Sequence, residues 1–554
     1  MKKIIAFLLA VFSFFGSFTG GIKDAFNVRA SFEISPDEEG ALLGNISSCM
    51  TVWSLEGNPF VNMTVNEDYN VFEFVRYIEV MQCTGGSAGR DLFKNPLDFS
   101  VTDDYDFTQL TDNCAGILAL GAKPYLKLGS VPLKYTENAV AGADFGTNLY
   151  PPDDYDIYYD YIAAVARELV EAFGRDEVLT WRFSVMTEFE NADWFKAQSG
   201  DPEESCEAYC KLYDYTAQAL VDEIGSDVFV GAHAMAVTEG LWDERDFIKH
   251  CALGTNYKTG KQGSPLRFLT ASYYDTAPGK YTSGMNPVET INHLRKAAEE
   301  YGFDNLVYAF DEGRILGSSR GSESDALLSR TVGQTYQAGY DARMAKMLFE
   351  NGIEYFSAWE YLSDSLADGN PTVSYYVARL ASFFEGSRTA KTKRVKNALA
   401  FGTEAQAFSA FNSSTDTLRV MAYNFKNSLS YSRKANLNFK INAPRFDGRD
   451  VKITAYVIDD NCNWFDEWEQ DRKTYGIGSD CFSWSPDDPV IGSTATLSDP
   501  AARELYFGEL KEKYARCSVL TPIETTAKVG NSTLELSITL EPNAVVFYEI
   551  TPVN

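Results

Sequence analysis

Histidine is scarce in this chain: only His233, His250 and His293 occur among 554 residues. Three widely separated imidazoles leave little room for a His-ligated metal site or a Ser/His/Asp triad, so hydrolytic chemistry would fall to carboxylates. Basic residues are also few, with 49 Lys plus Arg against 78 Asp plus Glu and a net charge of −29. That balance repels a phosphate backbone or an anionic membrane surface at long range, which argues against nucleic acid as a partner. Beyond the N-terminus no stretch approaches the roughly 20 apolar residues of a membrane-spanning helix, so no membrane span is expected. The nine cysteines include no CxxC pair and no metal-ligand spacing. Their odd number leaves at least one thiol unpaired, and Cys462, Cys481 and Cys517 cluster near the C-terminal end, where an extracellular domain has room for one bridge.

What is present in quantity is ring side chains: 37 Phe, 32 Tyr and 8 Trp, with hydrophobic residues at 45%. This is the composition of a globular protein with large cores, and the length is several times the roughly 150 residues that one core usually supports. Two or more domains are expected. The N-terminus begins Met1, Lys2, Lys3 and continues almost wholly apolar from Ile4 to Phe15. A basic stretch followed by a short apolar one, too short for a hydrocarbon core of roughly 30 Å, reads as a secretory signal over residues 1–20 and places the protein outside the cytoplasm. The cleavage point falls after Gly20 or as late as Ala30.

Between about residues 49 and 385, short β-branched or aromatic runs alternate with longer amphipathic segments, the pattern of repeated βα units. Eight strands are predicted: Cys49 to Leu55, Phe72 to Val80, Ala122 to Gly129, Leu179 to Thr187, Val228 to Met235, Leu266 to Tyr274, Asn305 to Asp311 and Glu354 to Tyr361. Between them lie helical patterns such as Tyr158 to Phe173, closed by Gly174. The fold class is therefore α/β, a (β/α)8 TIM barrel with insertions. From 386 to 554 helical periodicity gives way to short strand-like runs separated by turn residues, predicting an all-β sandwich interrupted by one long excursion from Asp459 to Arg516. The segment 28–34 alternates like a strand and is a candidate to complete this second domain.

In such a barrel the reactive groups sit at the C-terminal ends of the strands. The fourth predicted strand ends in Glu188 and the seventh in Glu312, so two carboxylates can face each other over one pocket. With 78 acidic residues, either glutamate alone would be unremarkable. Together they suit glycosidic bond cleavage, where one carboxyl protonates the leaving oxygen and the other attacks the anomeric carbon. Lys127, ending strand three, is a cation at the same mouth, or a lysine whose head lies in water on the rim. Trp359, ending strand eight, is placed either to form an apolar floor for a sugar ring or to pack in the core.

The run Trp181 to Phe195, WRFSVMTEFENADWF, resembles the strand-four region of glycoside hydrolase family 39, where a Trp-x-Phe-Glu-x-Trp-Asn-Glu-Pro run presents the acid/base glutamate. Thr84-Gly-Gly-Ser-Ala-Gly-Arg90, the run His250 to Gly260, Tyr308-Ala-Phe-Asp-Glu312 and Tyr456-Val-Ile-Asp-Asp-Asn-Cys462 are similar in order and spacing to the α-L-iduronidase-like branch of that family, which also includes β-xylosidases. The resemblance implies a retaining glycosidase with Glu188 as acid/base, Glu312 as nucleophile, no cofactor, and an oligo- or polysaccharide substrate. Arg76 resembles the basic position that keeps the nucleophile ionised, a salt bridge with no catalytic role being the alternative; Tyr273 and Asp364 are further candidates for sugar contacts, and Tyr273 also for holding the nucleophile. Two departures stand beside the acid/base: Thr187 replaces the usual Asn and Phe189 the usual Pro. Iduronidase-like enzymes hold a uronic carboxylate with basic residues near the ends of strands six and eight. Here Ser272-Tyr-Tyr-Asp275 stands at the first place and no Arg lies close after Asp364 at the second, so a neutral pentoside or hexoside is favoured. The alternative is a glycan-binding protein on the same fold that has lost catalysis.

Overall fold

The computed structural model describes residues 27–63, 65, 70–139, 146–237, 240–275, 284–315, 335–357, 370–395, 402–428, 430–477 and 500–553. After a first strand β1 (Val28–Leu42), seven parallel strands follow in spatial order of sequence: β2 (Cys49–Ser54), β3 (Tyr77–Gln82), β4 (Lys123–Leu128), β5 (Arg182–Val185), β6 (Phe229–Met235), β7 (Phe268–Asp275) and β8 (Val307–Ile315). The eighth place belongs to residues 354–357. Phe356 forms a parallel bridge with Phe310 of β8, and its N–H donates to the Ile46 carbonyl on the approach to β2, 3.2 Å away. The ring is thereby closed, giving a (β/α)8 barrel.

Local sequence explains where the strands start. Asn70 caps a helical turn over Val71–Glu73 by accepting from the Phe72 N–H, so β3 begins at Tyr77 rather than at Phe72. Arg175–Val178 likewise form a short helix, and β5 is only four residues long, all buried. The helix Tyr155–Phe173 starts where the Asp154 side chain accepts from the Asp156 and Ile157 N–H groups and stops at Gly174, whose φ of 84° a side chain would resist. Its buried face, including Tyr158, Tyr161, Ile162, Val165 and Leu169, packs against the strands. Inside the ring, Cys49, Tyr125, Phe268, Ala309 and Tyr355 form a separate small core at the level of the strand starts. Arg182 passes through this layer, 4.2 Å over the Tyr77 ring, and pairs with Glu354 at 2.6 Å.

The second domain contains β9 (Arg388–Arg394), β10 (Ala405–Asn412), β11 (Thr417–Asn424), β12 (Ala435–Asn442), β13 (Asp450–Ile458), β14 (Ile523–Lys528), β15 (Thr533–Leu540) and β16 (Val545–Pro552). Together with β1 they run in the order β14-β13-β16-β11-β10-β9-β1-β12-β15. β1 lies between β9, antiparallel, and β12, parallel. The sheet folds over on itself: Phe439 of β12 and Tyr548 of β16, five strands apart in the order, touch at 5.8 Å between ring centroids. One apolar core, with Ala30, Phe32, Val420, Leu437, Phe439, Ile453 and Val546, fills the space between the two halves, which is a sandwich.

The excursion within this domain differs from the all-β expectation. Its described residues form helices over Phe465–Thr474, Pro500–Leu505 and Lys511–Cys517, packed on an aromatic cluster of Trp464, Phe465, Trp468, Tyr506 and Tyr514. These helices are short and held by rings rather than by a long amphipathic stripe, so periodicity did not reveal them. Eight cysteines lie in described residues and all eight are free, Cys462 and Cys517 included; Cys481 lies outside the described residues. No described helix is long and apolar enough to cross a membrane.

Candidate active site

β5 delivers Glu188 by leaving strand geometry abruptly. The Met186 N–H still donates to the Leu128 carbonyl at 2.9 Å, but Met186 and Glu188 take φ of 59° and 39°. Left-handed backbone at residues other than glycine is costly, and it persists here because the surroundings fix it. Phe189, fully buried, stacks on Tyr209 at 3.9 Å with the rings 3° from parallel. Asn191 closes the turn, its N–H donating to the Glu188 carbonyl at 2.7 Å and its amide to Glu188 Oε2 at 3.2 Å.

β8 solves a different problem. In a regular strand Asp311 and Glu312 would point to opposite faces, one of them away from the barrel interior. The register with β7 shifts between Ala271 and Ser272, so that Phe310 faces Ala271, Glu312 faces Ser272 and Asp311 is extra. This bulge lets both carboxylates turn inward. Asp311 lies deep, with Oδ2 accepting from Tyr125 at 2.8 Å and Oδ1 from Tyr355 at 2.5 Å. Glu312 lies higher and accepts the Tyr274 hydroxyl on Oε1 at 2.5 Å. Burial and the charge of Glu188 push the Glu312 carboxyl well above the usual range, against the Tyr274 hydrogen bond and Lys127, which pull it down. The two glutamates thus occupy the ends of the fourth and seventh barrel strands and act on each other electrostatically.

Lys127 on β4 is fully buried, not on the rim. Its Nζ lies 5.6 Å over the Trp194 ring and has no hydrogen-bond partner among the described residues. Burial pulls its ammonium down to about 7, while Glu312 and Glu79 hold it up. Trp194 in turn meets Trp53 at 6.1 Å, and Arg90 sits 5.8 Å over Trp53, anchored by Ser87 Oγ at 2.9 Å. An aromatic and cationic wall therefore lines one side of the barrel mouth.

Arg76 is elsewhere. It directly precedes β3, at the opposite end of the barrel from Glu312, and its guanidinium pairs with Glu385 at 3.7 Å with 46% of the side chain exposed. The cation whose charge reaches Glu312 is Lys127, so Arg76 cannot hold the nucleophile. Tyr273 is also turned away: 2% exposed, it packs edge-on against Phe310, and its neighbour Tyr274 makes the bond to Glu312. The bulge one residue earlier exchanges which tyrosine faces the mouth. Trp359 and Asp364 lie outside the described residues.

Thr187 is fully buried, its hydroxyl 3.0 Å from His233 Nδ1. On the other side His233 Nε2 bonds Glu79 Oε1 and lies 3.7 Å from Asp311. Glu79, His233 and Asp311 are the one group among the described residues with donor atoms close enough together to hold a metal ion. Their donor atoms are already engaged by protein groups: Thr51 at 3.1 Å on Glu79, Tyr125, Tyr355 and Thr270 on Asp311. This describes a proton-sharing network better than a vacant coordination sphere. Alternation along the second and fifth predicted strands points Glu79 and His233 inward, but nothing in spacing pairs them.

Burial raises three further carboxyls. Glu79 and Glu190 are pushed up to about 8 and Asp91 to about 7. A carboxyl raised in the folded state binds more protons than when unfolded, so its stabilising contribution is present at acid pH and is lost as pH rises through the folded value. His233, pulled down to about 4, works in the opposite sense below pH 6.5, and Lys127 above about 7. Between pH 6.5 and 8 the carboxyls outnumber the lysine. The melting temperature is therefore expected to fall by several degrees from pH 6.5 to 8 in calorimetry, and a rise across that window would contradict these burial effects.

Residues 91–312 match the family model for glycosyl hydrolases family 39. A β-xylosidase of Caldicellulosiruptor saccharolyticus is 29% identical over 185 residues, covering 33% of this chain and 36% of that protein. The match thus spans about a third of that relative's length. A monomeric β-xylosidase from Caulobacter crescentus shares the fold with a TM-score of 0.63 at 17% identity, over 95% of this chain and 100% of that one. A bacterial orthologue of human α-L-iduronidase does so with a TM-score of 0.63 at 13% identity, over 95% and 84%. At these identities the structural likeness speaks for the fold alone.

Proposed function

We propose, from the premise that the chain belongs to glycosyl hydrolases family 39, that it is a retaining glycoside hydrolase that removes a terminal neutral sugar by double displacement. The observation that carries this reading is the placement of Glu188 and Glu312 at the ends of two strands of one barrel, with the charge of Glu188 acting on Glu312. Glu188 raises the Glu312 carboxyl, so the pair titrates together and shares a proton. The protonated member, Glu188, donates to the leaving oxygen, and the ionised Glu312 attacks the anomeric carbon. Tyr274 and Lys127 both favour the anionic form of Glu312 and so support that division. In the second step Glu188 takes a proton from water, which releases the sugar with its original configuration. Carboxylates and water suffice, with no cofactor in either step.

A neutral pentoside or hexoside is the substrate class we favour, and the names of the similar β-xylosidases make xylose the first to test. The N-terminal basic and apolar stretch supports a secreted protein. The purified protein should cleave an aryl glycoside of xylose, arabinose, galactose or glucose in preference to the glucuronide and iduronide. Preference for a uronide would overturn the neutral-sugar reading. Silence across the panel with retention of glycans on an array would favour the binding-only alternative, to which Thr187 and Phe189 first pointed.

A further inference from the structure

The catalytic reading leaves one buried element unused: the chain Thr187–His233–Glu79 with Asp311 beside it. All four residues are fully buried inside the ring, and two of them immediately precede the proposed catalytic glutamates. Thr187 is bonded to Glu188 through a single peptide, and Asp311 to Glu312 through another. His233 stands between them on β6, with one ring nitrogen 3.0 Å from Thr187 Oγ1 and the other bonded to Glu79 and 3.7 Å from Asp311. We propose that His233 is a positioning residue for the glycosidase reaction, a strut that fixes the backbone carrying Glu188 relative to the backbone carrying Glu312.

The hydrogen-bond inventory gives the strut a direction. Asp311 accepts hydroxyl donors from Tyr125, Thr270 and Tyr355, so it is the acceptor-only, ionised member. Burial drives His233 toward the neutral form and Glu79 toward the protonated one. Glu79 then donates its proton to Nε2, and Nδ1–H donates to Thr187 Oγ1, leaving the threonine hydroxyl proton aimed away from the ring. The charged or titratable groups that act on this chain from the surrounding strands are Cys49 on β2, Tyr125 and Lys127 on β4, Asp311 and Glu312 on β8 and Tyr355 at the eighth position. No bulk water reaches any of the four members, so the geometry is held by packing and by these bonds alone.

This inference rests on the proposed glycosidase activity, and its test separates the two. Thr187→Val, which keeps the volume and removes the hydroxyl, Thr187→Ser, His233→Gln and the Thr187→Val/His233→Gln double variant are assayed on the aryl glycoside the wild type cleaves best. Misplacing one reacting group by a fraction of an ångström costs rate rather than affinity. Thr187→Val and His233→Gln should each lower kcat about 10- to 100-fold with KM within about threefold, and the double variant should be no slower than the worse single one. Thr187→Ser should recover most of the loss. The alkaline limb of the kcat/KM profile should move in Thr187→Val, since the spacing of the two glutamates sets how strongly ionised Glu312 opposes loss of the Glu188 proton. If His233→Gln fails to fold, the Thr187→Val and Thr187→Ser pair decides alone. Losses that multiply in the double variant, or a Thr187→Val enzyme with unaltered kcat and pH profile, would overturn the strut while leaving the glycosidase intact. A wild type inactive on every glycoside would overturn both.

Discussion

Replacing Glu312 with glycine should reduce turnover by roughly 10⁴-fold or more, the scale on which removing a covalent nucleophile acts. The reason lies in the double displacement. Without the carboxylate no glycosyl-enzyme forms, and water at the same place is a far weaker nucleophile held with less order. The glycine leaves a space the size of the lost side chain beside Tyr274, whose hydroxyl now lacks its partner at 2.5 Å. Azide or formate fits that space, attacks from the same face and should restore cleavage of an activated aryl glycoside. Because only one displacement then occurs, the glycosyl azide must have the anomeric configuration opposite to the substrate. An active glycine variant without added anion, or a rescued product of unchanged configuration, would remove Glu312 from the nucleophile's role.

The second large effect is expected at Glu188, and it depends on the leaving group. Glu188→Gln should lose about 10²- to 10⁴-fold on a glycoside with a poor leaving group, which needs the proton, and far less on a dinitrophenyl glycoside, which does not. The pH profile separates this from simple damage. Glu188 raises the Glu312 carboxyl only when it is itself charged, and as the acid it is neutral over the acid limb of kcat/KM, so the equally neutral glutamine should leave that limb nearly where it is. The alkaline limb, which reports loss of the Glu188 proton, should vanish. An equal loss for both leaving groups with the alkaline limb retained would show that Glu188 is not the acid.

Both glutamates were legible because each ends a recognisable β-branched or aromatic run, and barrel topology turns strand ends into a shared pocket. What was not legible depends on details finer than periodicity. The bulge at Ala271/Ser272 decides that Asp311 and Glu312 both face inward and that Tyr274 rather than Tyr273 meets the nucleophile. The resemblance alone puts Arg76 at the nucleophile; the Asn70 cap delays β3 to Tyr77 and leaves the arginine before the strand, at the other end of the barrel. Lys127 stands open between the mouth and the rim in the sequence, because a buried, unpartnered ammonium is too costly to expect without seeing the carboxylates around it. His233 was dismissed on scarcity, which rules out a histidine-rich metal site but says nothing of a single imidazole used as a hydrogen-bonded strut. The helices of the excursion were hidden for a related reason: their order comes from a cluster of Trp and Tyr rings that meet only in three dimensions.

The central claim, that Glu312 forms a covalent bond to the sugar, is tested most directly by trapping. A 2-deoxy-2-fluoro glycoside with a dinitrophenolate leaving group, built on whichever sugar the protein cleaves, forms the intermediate quickly and hydrolyses it slowly, since the fluorine destabilises the positively charged transition states. Digestion and mass spectrometry of the inactivated protein should place one fluorosugar on the peptide that contains Glu312, and none in the Glu312→Gly variant. A label on another residue, or complete hydrolysis of the reagent with no adduct and an inverted product, would contradict the account.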